Sequence, residues 1–362
     1  MKKIISVLLA ASLLAFTITG CTVPAKETEK AAPSAETSAN KAEDAGTAAQ
    51  PSTDEKMVLK VGTTAPPTTL VAQSAIMFGE KLKELSGGAM DIDLVSAGAL
   101  GTTPQHYSQM QQGDLDIFVT AFDTATVMKD SKDFSIFVVP YAFNDIEHFR
   151  KFLETDTFME MKNKAEAANG IHFLGCTGNM LPRCLSTTNT PVYTPADLKN
   201  LKIRTPEAPA IVTVWTKWGA NPIQTAGSEI YSSLESGLID GQDNDVVGST
   251  STPLYEVQSY YMELNYIQQA NIMWASQMTW DKLSEQQRQW VEQAIEETDK
   301  DFSTDLFDTE YPKAKKLMEE SGVEFIEFDR EAFVDLAAET VKEMDGTLFR
   351  KGLYDEVRAL VE

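Results

Sequence analysis

From Leu59 onward the chain alternates between a period of two and a period of three to four. The stretch "LKVGTT" (residues 59–64) reads as a first strand, and Pro66-Pro67 then open a helix. Its apolar positions Val71, Ala75, Phe78, Leu82 and Leu85 fall on one face, and Gly87-Gly88 ends it. "MDIDLV" alternates as a second strand, "TPQHYSQMQQGD" gives a short helix, and "LDIFV" a third strand. This β-α-β-α-β order is the pattern of a doubly wound sheet. "FSIFVVPYAF" is a buried apolar segment, "DIEHFRKFLETDTFMEMKNKAEAANG" a single helix, and "IHFLGC" a further strand.

Past Arg183 the bursts shorten. "LPRCLSTTNTPVYTPADLKNLKIRTPEAP" holds strands, turns and a helical turn begun by Asp197. "APAIVTVWTKWGA" is a helix before "NPIQT", and "SEIYSSLESG" a helix before "LIDGQDND". "MELNYI" and "NIMWASQMTW" read as strands or segments that cross between domains. Ser284 and Gln287 form a capping-box signature for a long helix, which must bend or break near Pro312. "VEFIEF" alternates as a late strand, and two helices close the chain.

The first residues carry a different pattern. Lys2 and Lys3 precede an apolar run from Ile4 to about Ile18, then Gly20 and Cys21. A basic start, a run too short to span a bilayer and a small-residue site make an export signal over residues 1–20. Ile18-Thr19-Gly20-Cys21 is similar to a bacterial lipobox, with Cys21 as the lipidated residue. Residues 21–56 then form a tether: rich in Ala, Thr, Ser, Glu and Lys, with too few apolar side chains to offset the entropy of ordering. As a coil it reaches roughly 30–35 Å. The fold begins near Met57, and about 300 residues suffice for two domains.

The formal net charge of −23 excludes a general affinity for nucleic acid or anionic lipid. The three histidines, His106, His148 and His172, lack metal-ligand spacing and read as structural. No phosphate loop, nucleophile elbow or dinucleotide fingerprint is present, and no cofactor or metal is expected. Asp91-x-Asp93 and Asp114-x-Asp116 read as strand-edge charges. Cys176 and Cys184 read as two buried thiols, with a disulfide as the alternative.

Against this acidity, Arg204 ends an apolar strand and a helix follows it. Side chains there face the crevice where open α/β sheets bind ligands. A guanidinium there meets a carboxylate with two parallel hydrogen bonds, as a lysine cannot. From these residues alone, a structural ion pair with one of many acids fits Arg204 as well.

Three blocks together resemble one family. "LPRCLSTTNTPVYTPADLKNLKIRTPEAP", "WGANPIQTAGSEIYSSLESGLIDGQDND" and "SAGALGTTPQHYSQMQQGDLDI" are similar to segments of the DctP family, the extracytoplasmic solute receptors of TRAP transporters. The resemblance implies an α/β, two-lobed, periplasmic-binding-protein-like clamshell with crossing segments and a long helix spanning both lobes. Lobe I would hold residues 57–181 and about 270–309, and lobe II residues 182–269 and about 310–362. It implies a monomeric receptor, not an enzyme, that binds a small organic carboxylate and delivers it to TRAP permease subunits. It would sit outside the cytoplasm, lipid-anchored to the outer face of the cell membrane. The rival readings are a surface glycan hydrolase, and a similar receptor serving a sensor kinase or an ABC permease. The ligand residues implied are Arg204, Arg183, Asn244 and Gln242, with Glu207 as a holder of a ligand hydroxyl. Asp243 and Asp245 replace the family's usual Glu and Pro, Gln105 an acidic residue, and Gly227 an aromatic one.

Overall fold

The computed structural model describes residues 56–361, apart from Glu207, Ala226 and the side chain of Ser228. The signal peptide, Cys21, the tether up to residue 55 and Glu207 therefore lie outside the described residues.

Each early apolar burst forms the element its period requires. β1 (Met57–Gly62), α1 (Leu70–Leu85), β2 (Met90–Val95), α2 (Thr103–Gln112) and β3 (Ile117–Ala121) follow in order. Gln105 caps α2, its Oε1 accepting the backbone N–H of Thr102 at 2.7 Å. A 310 stretch, Lys132–Val138, is buried almost throughout. Next come α3 (Ile146–Leu153), α4 (Asp156–Asn169) and β4 (Ile171–Met180). The expected single helix is thus two, because Thr155 accepts the Phe158 N–H and starts α4 afresh.

The second half supplies β5 (Cys184–Thr187), β6 (Lys202–Thr205), α5 (Pro209–Lys217) and β7 (Asn221–Gln224). After these come α6 (Ile230–Glu235), β8 (Gly241–Asn244), α7 (Val246–Ser251), β9 (Tyr260–Met262) and β10 (Gln269–Ser276). The chain closes with α8 (Gln277–Lys282), α9 (Glu285–Asp305), α10 (Tyr311–Glu320), β11 (Glu324–Phe325), α11 (Arg330–Met344) and α12 (Leu353–Arg358). Between Thr194 and Lys199 the expected helical turn is a 310 turn, Pro195–Leu198, capped by Thr194 instead of started by Asp197. "VEFIEF" shrinks to the two residues of β11, which pair only with β9.

The strands sort into two sheets, ordered β2-β1-β3-β10-β4 and β11-β9-β5-β8-β6-β7. Before residue 345 the main chain passes between them three times. Residues 181–183 join β4 to β5, and residues 263–268 join β9 to β10. The third passage is the helix from α9 to α10. The capping box of Ser284 and Gln287 starts α9 as expected. At its far end the helix does not stop for Pro312 but widens into a π-turn, Leu306–Glu310, where the Tyr311 N–H reaches the Leu306 carbonyl. The shifted register absorbs the hydrogen bond that proline cannot make.

Packing follows the same plan. Phe122, Phe134, Phe137, Phe149, Phe152 and Phe158 stack on one face of the first sheet. The other face holds Leu59, Val61, Phe78 and Met273 against Val291 and Ile295 of α9. Residues 345–361, expected with the second lobe, pack on the first. Leu353 and Val357 enter the phenylalanine core, Asp133 accepts the Arg350 N–H, and His148 Nε2 donates to Val357 O at 2.8 Å. Burying those two aliphatic side chains outweighs continuity along the chain.

Candidate functional site

Strand direction decides where charged side chains collect. β6 runs parallel to β7 and β8, so the three end together at Thr205, Gln224 and Asn244. β5 is antiparallel to β8 and places Cys184 opposite Asn244, so Arg183 lies at the same edge. In the first sheet, β1 and β3 are parallel, while β10 starts where β3 ends: Asn271 pairs with Ala121. The crossings 181–183 and 263–268 leave from these edges and bond each other. Arg183 N–H donates to Ile267 O at 3.0 Å, and Tyr266 N–H donates to Arg183 O at 3.2 Å.

Arg204 stands on β6 and is 7% exposed. Its Nε and Nη2 both donate to Thr225 O, at 3.0 and 2.8 Å, which ties the guanidinium to the end of β7. The Thr225 hydroxyl is buried and has no hydrogen-bond partner among the described residues.

Arg183 is the centre of a buried network. Its Nε donates to Asp243 Oδ1, and its Nη2 to the Asp243 carbonyl at 2.8 Å. Asp243, with no exposed surface, also accepts from Trp215 Nε1 at 2.9 Å and from the Tyr266 hydroxyl. Burial alone lowers the pKa of Arg183, but Asp243 and the neighbouring groups outweigh it and hold the guanidinium more firmly charged. Nη1 of Arg183 makes no hydrogen bond among the described residues. Asp243 on β8 therefore joins the first crossing, α5 and the second crossing through one carboxylate.

Asn244 follows on β8, and its Oδ1 accepts the Asp245 N–H at 3.0 Å. Asp245 accepts the Gly248 N–H at 2.8 Å and caps α7. Burial raises the pKa of Asp245, and the Gly248 N–H opposes the rise. Gln242 has no exposed surface; its amide donates to Ser186 Oγ at 2.9 Å and Ser249 Oγ at 3.1 Å. It stands behind the edge and holds β5, β8 and α7 together.

Sequence reasoning passed over Asp123. It follows β3 directly, in a 310 turn Phe122–Val127, and is half-buried. Burial raises its pKa, and the Arg183 guanidinium opposes the rise. The signal available was its position two residues past a strand end, close to the C-terminal edge of a sheet as Arg204 is.

The histidines are structural. His106 and His148 are buried, and burial lowers the pKa of His106. His172 stacks on Trp280 at 4.5 Å. Cys176 and Cys184 are buried and unpaired, and burial pushes both thiols up to about 12. Among the described residues no group of three or more His, Cys, Asp or Glu is placed to hold a metal ion, and no helix is long and apolar enough to cross a membrane. A cavity of about 550 Å³ lies away from the arginines, between α1, α7 and the bend from α9 to α10.

The chain is 28% identical to a solute-binding protein of Roseobacter denitrificans over 85% of its own length and 90% of the relative. It is also 28% identical to the 2,3-diketo-L-gulonate-binding periplasmic protein of Escherichia coli, over 75% of this chain and 81% of that one. A crystal structure of a TRAP periplasmic solute-binding protein from Roseobacter denitrificans with bound L-galactonate superposes with a TM-score of 0.75. It is 26% identical and covers 85% of this chain and 99% of that one. The family model described as bacterial extracellular solute-binding protein, family 7, matches residues 61–347, and this chain belongs to that DctP family.

Proposed function

We propose that the chain is the extracytoplasmic receptor of a TRAP-type transporter, that it captures a small organic carboxylate between two lobes, and that it hands the ligand to membrane permease subunits. The lobes in this reading are residues 57–181 with about 270–309 and the returning segment 345–361, and residues 182–269 with about 310–344. Cys21 is the lipid anchor, and the tether holds the receptor near the membrane. The protein acts as a monomer and makes or breaks no bond.

One observation carries the reading. Arg204, Arg183 and Asn244, from two strands and a crossing, converge on the edge from which the main chain passes to the other sheet. Arg204 receives the ligand carboxylate, oriented by its bonds to Thr225 O. Arg183 Nη1 and the Asn244 amide assist, and Gln242 supports the wall. Glu207 follows Arg204 closely enough to take a ligand hydroxyl. The ligands of the Roseobacter and Escherichia relatives, L-galactonate and 2,3-diketo-L-gulonate, are carboxylates. A ligand that touches both lobes favours the closed state by the difference between its affinities for closed and open forms.

The test is calorimetry with a panel of sugar acids and dicarboxylates. Truncating one partner of a desolvated charge pair costs about 2–5 kcal/mol. Arg204→Ala therefore weakens binding of the panel's best acid by roughly 30-fold or more. An unchanged affinity rejects Arg204 as the carboxylate clamp.

A further inference from the structure

The two arginines account for one end of an acid; the first sheet has something different to offer the other end. Two of the charged groups at these edges are committed. Arg150, beside the end of β4, gives Nη1 and Nη2 to Asp299 at 2.9 and 2.8 Å. Arg183 is balanced by Asp243. Asp123 differs. Backbone N–H groups, its own and that of Thr124, act on its carboxylate, but no side chain among the described residues hydrogen-bonds it, and Thr124 spends its hydroxyl on Ala121 O at 2.8 Å. Structural carboxylates elsewhere in this chain have side-chain donors: Asp116 takes the Thr279 hydroxyl, and Asp299 takes Arg150.

Register puts Asp123 in the right place. Ala121 pairs with Asn271, so two residues further on the chain runs alongside the start of β10 and the crossing before it. Ile267 in that crossing accepts the Arg183 N–H. Asp123 is thus an acid on the first sheet, within electrostatic reach of the arginine on the second.

We propose that Asp123 is the first lobe's acceptor for ligand hydroxyls, so that the site takes a hydroxylated monocarboxylate and rejects a dicarboxylate. This rests on the reading of Arg204 as the carboxylate clamp. A half-buried carboxylate with unused lone pairs is satisfied by hydroxyl donors, which bond charged acceptors more strongly than neutral ones. A second ligand carboxylate brought to the same place meets like charge, and the nearby Arg183 is already balanced by Asp243. Like charges set together at an interface cost several kcal/mol, or about 100-fold in affinity.

The experiment measures galactonate, erythronate, butyrate and succinate against the purified chain and its Asp123→Asn and Asp123→Ala variants by calorimetry. The original chain binds the hydroxylated acids about 100-fold more tightly than succinate. Asp123→Ala loses about 10-fold or more for galactonate, changes butyrate little and narrows the gap to succinate. Asp123→Asn, which keeps an acceptor but no charge, relieves the rejection of succinate more than it weakens galactonate. Succinate binding as tightly as galactonate in the original chain overturns the proposal, as does an equal loss for every acid in Asp123→Ala. Arg204→Ala separates the two levels. If it abolishes binding while the Asp123 variants do not discriminate, only this inference fails. If it changes nothing, or if no acid of the wider panel binds, the carboxylate-receptor reading fails first.

Discussion

Removing the Asp243 carboxylate tests the network on which the arginine edge is built. In Asp243→Ala, the Arg183 Nε and the Tyr266 hydroxyl lose their acceptor in a site with almost no solvent. Trp215 Nε1 loses one of two, since the Tyr266 oxygen remains 3.2 Å away. Leaving a buried charge unpaired costs about 3–5 kcal/mol, and an orphaned buried hydroxyl about 1–3 kcal/mol. The two share a site and do not add fully, so a loss of about 4–6 kcal/mol is expected. Against a typical stability of about 5–15 kcal/mol, this removes a large part of the total. Urea unfolding followed by tryptophan fluorescence reads it, since Trp215 lies in the network. The companion is the double variant Arg183→Leu with Asp243→Leu. It removes both charges and recovers much of the loss of Asp243→Leu, because the cost lies in the unpaired partner. A loss under about 1 kcal/mol in Asp243→Ala, or a double variant as damaging as the two single losses combined, refutes the reasoning.

Other expectations follow from local geometry. Gly178 holds φ +128, and a Cβ there would stand 2.3 Å from the Phe302 ring, so Gly178→Ala destabilises by about 2–4 kcal/mol in the same unfolding assay. Gly170, also at positive φ but with open space around it, loses only about 1 kcal/mol as Ala and serves as the control. Ser284→Ala removes the Oγ that accepts the Gln287 N–H, one half of the capping box at the start of α9, and costs about 1 kcal/mol. With burial holding both thiols up to about 12, Cys176 and Cys184 stay unlabelled by a thiol reagent at pH 8 and label at the unfolding rate. Rapid labelling of the native chain would contradict their burial.

Much of the architecture was legible along the chain because it depends on local periodicity. The β-α-β-α-β start, the capping box at Ser284 and the bend before Pro312 are properties of short windows, and each formed. Where windows misled, a local hydrogen bond or a distant surface had decided the matter. Thr155 cuts one helix into two, and β11 has only β9 to pair with. α12 leaves its expected lobe because an apolar core elsewhere accepts Leu353 and Val357.

The sequence by itself determined the fold class, the family and the two arginines, since motif spacing and strand-end position survive without coordinates. Only the tertiary structure decided what each charged group meets. It paired Arg183 with Asp243 and put Gln242 behind the edge. It set Arg204 against a backbone carbonyl and brought Asp123, from the other sheet, within electrostatic reach of Arg183. The physical reason is that electrostatic partnership depends on distance and burial, and residues 60 positions apart or more become neighbours only when the strands that carry them share an edge.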